Sequence, residues 1–305
     1  MSTLIRRAVA VVAAVGMCVV AFPAYASGPY DFDWSELVDF EIDEVDDQGR
    51  VWGSAEGDQD KFGEMTADLG QVFAPRLIAP TETLGQAGFA VKAMTSFSVI
   101  PNQEDHWQQM TGGDAQGALF SSHLQVRKGL PLSFEVAGNL SHLARSQQFV
   151  MGADLRWALH EGYRFFPDVG VRASANVLTG APQLNLFNTG WDASISRSFG
   201  VGGVVELTPY LGYQQLFTFA STRVLNARPQ DPRPPQTRTD DDQAYAPEFV
   251  FPDADVDDTM FGQQVHVGNR PFAGLRLNTW IMSFTFEAVL GDRVQQFSFA
   301  GGVDF

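Results

Sequence analysis

The chain is 305 residues long, contains 25 Phe and 29 Gly, and carries a formal net charge of −16 at pH 7. Binding to a nucleic-acid backbone needs clustered Lys and Arg, and the sequence has no such cluster, so we exclude a nucleic-acid partner. Abundant Phe and Gly with scarce Lys and Glu are typical of strands and turns, which predicts an all-β protein.

The first 26 residues have the parts of a secretory signal peptide. A short basic segment precedes an apolar run, and Ala24 and Ala26 form the small-residue pattern of a cleavage site. The run is too short for a membrane span, and no later stretch reaches the ~18 apolar residues of a membrane helix. Met17 before Cys18 argues against lipidation of that cysteine. We therefore predict export, removal of residues 1–26, and a mature chain without disulfides.

Residues 27–86 form an acidic N-terminal extension, which we predict to be periplasmic. From residue 28 to residue 86 the chain has 15 Asp or Glu and only 3 Lys or Arg. Its first part is either disordered or a hairpin that turns at residues 46–49.

The end of this extension has a helical pattern, with Asp60 as the candidate N-cap. Four apolar residues recur there at helical spacing: Phe62, Met65, Leu69 and Val72. They predict a short amphipathic helix near residues 60–73. We expect it to cover the barrel rim on the periplasmic side; a plug and a partner-binding helix are the alternatives.

The remainder, residues 87–305, repeats one pattern. Apolar residues alternate with polar or small ones, which is the period of a strand with one apolar face. Each run has roughly 9 to 11 residues, enough to cross a bilayer when tilted. Ten such runs begin near residues 89, 118, 132, 149, 169, 191, 205, 272, 281 and 294. We predict ten strands, with eight or twelve as alternatives; Pro209 in the seventh requires a bulge or a strand end.

The connections alternate in length, as in a barrel with short turns on one rim and long loops on the other. The short connections are residues 128–131, 160–168, 200–203 and 278–280. The long connections are residues 101–117, 141–148, 179–188 and 217–268. The connection at residues 290–293 lies at the same rim but is short. The loop 217–268 has 9 Asp or Glu against 4 Lys or Arg, and we predict it to be extracellular and acidic.

The chain ends on an aromatic residue. In the last run, bulky apolar side chains stand at alternate positions: Phe297, Phe299, Val303 and Phe305. A signal peptide, about ten alternating segments and this terminal strand together resemble the Gram-negative outer-membrane β-barrel proteins, over residues 87–305. Gly301, where a larger apolar residue is usual, departs from the pattern.

The resemblance is to this class and not to one family. It implies an antiparallel up-and-down transmembrane β-barrel in the outer membrane, in contact with outer-membrane lipid. It also implies that the C-terminal strand is read by the barrel-assembly machinery. A soluble β-sandwich would give the same alternation, but its outer face of Ser, Ala and Gly would be unusual.

The polar face of the strands points into a small barrel and carries the candidate functional residues. Five cationic and five anionic side chains belong to it: Lys92, Arg127, Glu135, Asp154, Arg156, Arg172, Asp192, Glu206, Arg276 and Glu287. The balance predicts an interior filled by ion pairs, because an unpaired buried charge is costly. We expect Arg156 to lie between Glu135 and Arg172, with Asp154 on the same face. A narrow polar channel is the alternative.

The sequence predicts no catalytic, cofactor or metal site. The five histidines fall in no catalytic motif: His106, His123, His142, His160 and His266. The acidic run at residues 253–258 lacks the Gly and the final Glu of an EF-hand. It favours a solvated, Pro-rich loop, with loose binding of a divalent cation as the alternative. We therefore predict a non-enzymatic barrel with an envelope-structural, surface-contact or limited solute-passage role. The alternatives are a barrel enzyme acting on lipid or peptide and a narrow porin-like channel.

Overall fold

The structure is a computed structural model that describes most of the chain after the expected signal peptide. The described residues are 28, 30–32, 34–45, 51–113, 115–163, 166–181, 183–222, 249–250 and 261–305. The expected signal peptide and the candidate cation-binding run at residues 253–258 lie outside the described residues, as does the candidate turn at 46–49.

A hairpin and a helix precede the barrel. A 3-10 turn (Trp34–Leu37) leads into the antiparallel strands β1 (Val38–Val45) and β2 (Val51–Gly57), and helix α1 follows (Gln59–Val72). The short N-terminal helix predicted from the sequence is thus confirmed, but Asp60 does not cap it. Asp58 does, because its backbone is extended and its carboxylate accepts the Lys61 N–H at 3.0 Å.

Within the described residues, ten long strands form a closed antiparallel ring. They are β3 (Phe89–Val99), β4 (Ala118–Leu130), β5 (Phe134–Leu143), β6 (Phe149–His160), β7 (Asp168–Thr179), β8 (Leu184–Ser196), β10 (Val205–Thr222), β12 (Gln264–Thr279), β13 (Met282–Leu290) and β14 (Gln295–Asp304). Sequential neighbours pair, β10 pairs with β12, and β14 pairs with β3 to close the ring. The predicted all-β, up-and-down barrel of ten strands is confirmed.

The described residues include three short elements besides the cap and the ten long strands. Helix α2 (Asp105–Met110) interrupts the long connection between β3 and β4. The short strand β9 (Phe199–Val201) pairs with the start of β10, and β11 (Phe249–Val250) pairs with β2. Pro209 lies in β10 between the residues that pair with β9 and those that pair with β8, which is a place where a missing N–H is tolerated.

Two predicted loops are shorter than expected. Strand β8 begins at Leu184, inside the predicted loop 179–188, while β10 continues to Thr222 and β12 begins at Gln264, both inside the predicted loop 217–268. The alternation is harder to read there because inward-facing positions become apolar near the long-loop rim. Buried apolar residues of the strands at this end are Leu119, Leu143, Val150, Leu178, Leu184, Leu186 and Ala220.

The two faces of the barrel wall differ in polarity. Large apolar side chains are exposed on the outer face: Phe97, Phe120, Leu140, Met151, Leu155, Val177, Phe187, Trp191, Leu211, Phe286 and Phe297. Polar side chains are buried on the inner face: Ser96, Gln125, Glu135, Arg156, Arg172, Asn188, Gln214, Arg276, Thr285 and Ser298. This is the orientation that the alternation predicts. No helix among the described residues is both long and apolar enough to cross a membrane.

Candidate functional site: the barrel lumen and its cap

The described residues between 28 and 72 form the cap, which covers the long-loop rim of the barrel. The ring of Phe62 on α1 lies 5.3 Å from Trp34 and 4.6 Å from Phe261 (centroid to centroid), and all three side chains are buried. The buried apolar residues at the long-loop end of the strands belong to the same hydrophobic cluster. Burying a side chain such as Phe62 contributes roughly 1.5–3 kcal/mol, so the helix is held mainly by its apolar face.

The structure places α1 at the rim with the long loops. The sequence predicted that this helix covers the barrel rim on the periplasmic side. Asn188 Nδ2 donates to the Gly70 carbonyl at 3.0 Å, and Thr66 Oγ1 lies 3.1 Å from His266 Nε2. At this rim the inward-facing residues of the strands form a large apolar cluster that buries the apolar face of α1.

The chain then runs through the barrel. Residues 73–84, the plug segment, contain no helix or strand, and residues 73–81 are all buried. The chain reaches the short-turn rim before β3 begins at Phe89, which pairs with Phe305. Twelve extended residues span up to about 40 Å, and a bilayer core is about 30 Å thick. The plug segment is therefore long enough to cross the whole lumen.

The plug segment bonds to every strand of the ring. Arg172 Nη1 donates to the Arg76 carbonyl at 2.7 Å, and Gln214 Nε2 donates to the Pro75 carbonyl at 2.9 Å. One such partner per strand, in chain order, is Ser96, Ser121, Glu135, Arg156, Arg172, Ser196, Gln214, Arg276, Glu287 and Gln296. Buried backbone groups need partners, and here the polar wall supplies them.

Two apolar side chains anchor the plug segment as well. Leu77 packs in a buried cluster with Tyr210, Phe272 and Val289. Ile78, which is fully buried, packs with Met94 and Ala300. The plug segment thus fills apolar pockets in a mostly polar lumen, which fixes its position along the barrel axis.

The predicted lumen charges all lie on the inner face, and several form ion pairs across strands. Arg127 Nε and Nη2 donate to the two carboxylate oxygens of Glu135 at 2.7 and 2.8 Å. Arg156 stands opposite both Glu135 and Arg172 in the strand register, and its Nη1 lies 3.6 Å from Glu135 Oε1. Arg172 Nε donates to Asp192 Oδ2 at 2.6 Å, and Arg172 Nη1 lies 3.7 Å from Asp154 Oδ1.

The other predicted charges mostly bind the plug segment. Lys92 Nζ donates to the Ile78 carbonyl at 3.3 Å, and Glu287 accepts the Ile78 N–H at 2.9 Å. Arg276 Nη2 lies 3.3 Å from a carboxylate oxygen of Glu82.

Glu206 is the exception among these charges. It is only partly buried and accepts from Asn278 Nδ2 at 3.4 Å.

Sequence reasoning missed two buried arginines of the lumen. Arg76 belongs to the plug segment, where no periodicity marks it. Arg270 is fully buried and donates to Gln214 Oε1 at 2.6 Å. Arg270 lies before the start of the predicted eighth run. It is an even number of positions from Arg276, so both side chains share one face of the strand. This spacing was the signal that could have identified Arg270 as a lumen residue.

The structure brings one histidine to two serines inside the lumen. His123 Nδ1 lies 2.5 Å from Ser141 Oγ, and His123 Nε2 lies 2.9 Å from Ser121 Oγ and also contacts Arg76. The sequence neighbour of Ser141, His142, instead bonds to the Ser146 carbonyl. The adjoining cavity has a volume of about 20 Å³, which has room for about one water molecule. No lipid or peptide fits there.

The C-terminal strand closes the seam. The backbone N–H of Phe305 donates to the Phe89 carbonyl at 2.8 Å, and Phe89 returns a bond at 2.9 Å. The two rings are stacked with their centroids 6.4 Å apart. Phe297, Phe299 and Phe305 are exposed on the outer face and Val303 is partly buried, so the final aromatic rests on the first residue of β3.

Solved structures similar to this chain include three from outer-membrane or surface proteins. No protein-family model matches the chain, and no curated protein matches it. A KdgM porin in complex with disordered oligogalacturonate is 6% identical, with 71% of this chain and 99% of that chain covered and a TM-score of 0.31. The outer membrane protein Omp33 of Acinetobacter baumannii is 9% identical, with 73% and 100% covered and a TM-score of 0.29.

The attachment invasion locus protein Ail of Yersinia pestis is 12% identical to this chain, with 72% and 99% covered and a TM-score of 0.25. The fold of this chain itself is defined by its own closed ring of ten strands.

Proposed function

We propose that this chain is a non-enzymatic outer-membrane β-barrel whose lumen is closed by its own plug segment and whose cap faces the outside of the cell. Its role is envelope-structural and surface contact. The observation that carries the proposal is that the plug segment bonds to all ten strands of the ring and that its residues 73–81 are all buried.

The outer face of the barrel supports a membrane location. A closed barrel leaves no unpaired strand edge, which is what a hydrocarbon layer requires. The outer band is apolar, and near the short-turn rim it ends in exposed aromatic residues, as at a membrane interface. These aromatic residues are Phe89, Trp157, Tyr163, Phe166, Phe199, Trp280 and Phe305.

The loop lengths support the orientation. In bacterial outer-membrane barrels the short turns are periplasmic and the long loops are extracellular. Because the cap lies at the long-loop rim, this orientation puts the cap outside the cell, whereas the sequence led us to expect a periplasmic extension. The proposal also includes export by the signal peptide, contact with outer-membrane lipid, and recognition of the C-terminal strand by the barrel-assembly machinery.

The lumen can be tested by cutting the chain at one end of the plug segment. Residues 85–87 are exposed at the short-turn rim, so a site-specific protease sequence inserted there can be cleaved after folding. In planar bilayers we expect no steady conductance before cleavage, and channel openings after cleavage, when the plug segment loses its tether to β3. The matched control carries the same insertion beside Val204, an exposed residue of another turn at this rim, and its cleavage should change nothing.

A disulfide lock tests whether the plug segment itself closes the lumen. Thr81 Oγ1 lies 2.9 Å from Ser194 Oγ, so Thr81→Cys/Ser194→Cys in a Cys18→Ser background can tie the plug segment to β8. We expect the oxidised variant to stay closed after cleavage and to open on reduction. A large steady conductance of the uncleaved wild type would contradict the proposal and favour the porin-like alternative.

A further inference from the structure

A histidine and three carboxylates meet where the cap contacts the loop between β3 and β4. His106 is the second residue of α2, and Glu104 immediately precedes that helix. Glu64 and Asp68 lie one turn apart on α1 and face them. The side chain of His106 is fully buried, whereas the carboxylates of Glu64 and Glu104 are about half exposed.

One nitrogen of His106 makes no hydrogen bond within the described part of the chain. His106 Nδ1 has no hydrogen-bond partner among the described residues, although it lies 3.1 Å from Glu64 Oε2 and 3.6 Å from Glu104 Oε2. These three ligand atoms all lie within 4.8 Å of one another. Glu104 holds the N-cap position of α2, yet its side chain makes no capping bond. The nitrogen and the two carboxylates therefore converge on one point.

The other nitrogen of His106 is held by a carboxylate. His106 Nε2 lies 2.9 Å from Asp68 Oδ2, and Trp107 Nε1 donates to the same oxygen at 2.8 Å. Histidines that bind metals usually donate their second N–H to a carboxylate, which fixes the ring and leaves the first nitrogen unprotonated. Asp68 supplies this support here.

The charges around this point favour a divalent cation. Glu64, Glu104 and Asp68 carry three negative charges, and Arg293 contributes one positive charge through its bonds to Asp68 and Glu104. With a neutral His106 the group has a net charge of −2.

We propose that His106 Nδ1, Glu64 and Glu104 bind one Zn²⁺ ion, with Asp68 as the outer carboxylate. One nitrogen and two carboxylate oxygens suit Zn²⁺, and a tetrahedral ion with ligand bonds of about 2.0–2.1 Å separates its ligand atoms by about 3.3 Å. The distances of 3.1 and 3.6 Å from His106 Nδ1 bracket that value. The exposed carboxylates leave a path for entry and room for water as the fourth ligand. The ion would join α1 to α2 and so fasten the cap to the loop that carries α2.

The test is a Zn²⁺ titration of the full-length folded protein in detergent, in which calorimetry measures the binding of Zn²⁺ and the unfolding temperature. We expect one Zn²⁺ per chain and a rise of the unfolding temperature when Zn²⁺ is added. In Glu64→Gln/Glu104→Gln, which keeps the size of both side chains, the affinity should fall by more than about tenfold. The matched control is Asp60→Asn/Asp105→Asn, which removes two exposed carboxylates next to the same site and should bind like the wild type.

The outcomes distinguish a specific metal site from a diffuse attraction of Zn²⁺ by acidic side chains. Equal Zn²⁺ affinity in the Gln variant and the wild type would overturn the proposal, because the ion would then bind elsewhere. Equal weakening in both double variants would also overturn it, because it would show a diffuse charge effect. Binding of Ca²⁺ in preference to Zn²⁺ would overturn the choice of metal, since the nitrogen ligand would then have no role.

Discussion

Glu135 shows how much one residue of the lumen holds together. Its carboxylate receives two hydrogen bonds from Arg127 on β4 and lies 3.6 Å from Arg156 on β6. It also accepts the backbone N–H of Leu84 at 3.2 Å. One buried side chain thus links three strands and the plug segment. Such a group is costly to remove because its cationic partners stay buried.

We expect Glu135→Ala to destabilise the barrel by about 3–5 kcal/mol, because Arg127 and Arg156 lose their buried counter-charge. Urea unfolding of the protein in lipid vesicles measures this. The control is Ser174→Ala, which removes one long hydrogen bond of 3.4 Å from the same lumen and should cost less than about 1 kcal/mol. Equal small losses would mean that the ion pairs do not hold the lumen together.

At the scale of a single element, closure of the ring depends on strand β14. It pairs with β13 on one side and with β3 on the other, so it joins the last strand of the chain to the first strand of the ring. Phe305, which follows the strand directly, completes the seam by two backbone bonds to Phe89 and by ring stacking. A barrel that lost this strand would have two open edges in the hydrocarbon layer.

We expect Phe305→Asp to reduce assembly in the outer membrane, because a charged side chain replaces the terminal aromatic that packs on Phe89. The folded fraction in isolated outer membranes measures this, with unheated gel mobility as the readout. Phe305→Tyr, which keeps the ring, is the control and should assemble normally. Normal assembly of Phe305→Asp would contradict the role of the terminal strand.

At the scale of the whole molecule, the path of the chain links the two rims. The cap lies at the long-loop rim, while β3 begins at the short-turn rim, so the plug segment must connect them through the lumen. Because both the cap and the plug segment bond to the inner wall, the N-terminal extension and the barrel form one folded unit. The orientation of the barrel then decides which compartment the cap faces.

We expect Glu36→Cys in the cap to react with a membrane-impermeant maleimide on intact cells, because Glu36 is exposed at the long-loop rim. The control is Val204→Cys at the short-turn rim, which should react only after the cells are permeabilised. Both variants are made in a Cys18→Ser background, so that the introduced cysteine is the single one in the chain. Labelling of Val204→Cys alone on intact cells would reverse the proposed orientation.

The sequence by itself determined the strands and their two faces. Alternation is a local property, since residues i and i+2 share a face of a strand. For that reason residues such as Phe97 on the outside and Arg172 on the inside could be assigned without a structure. The helical spacing of Phe62 and Met65 likewise predicted α1.

Only the tertiary structure decided what fills the lumen and which rim α1 covers. The plug segment has no periodicity, and its bonds join residues that are distant in sequence, such as Arg76 and Arg172. The meeting of His106 with Asp68 and Glu64 depends in the same way on how α1 docks against α2. Such contacts join residues that are far apart in the sequence and meet only in the tertiary structure, so no local pattern in the sequence encodes them.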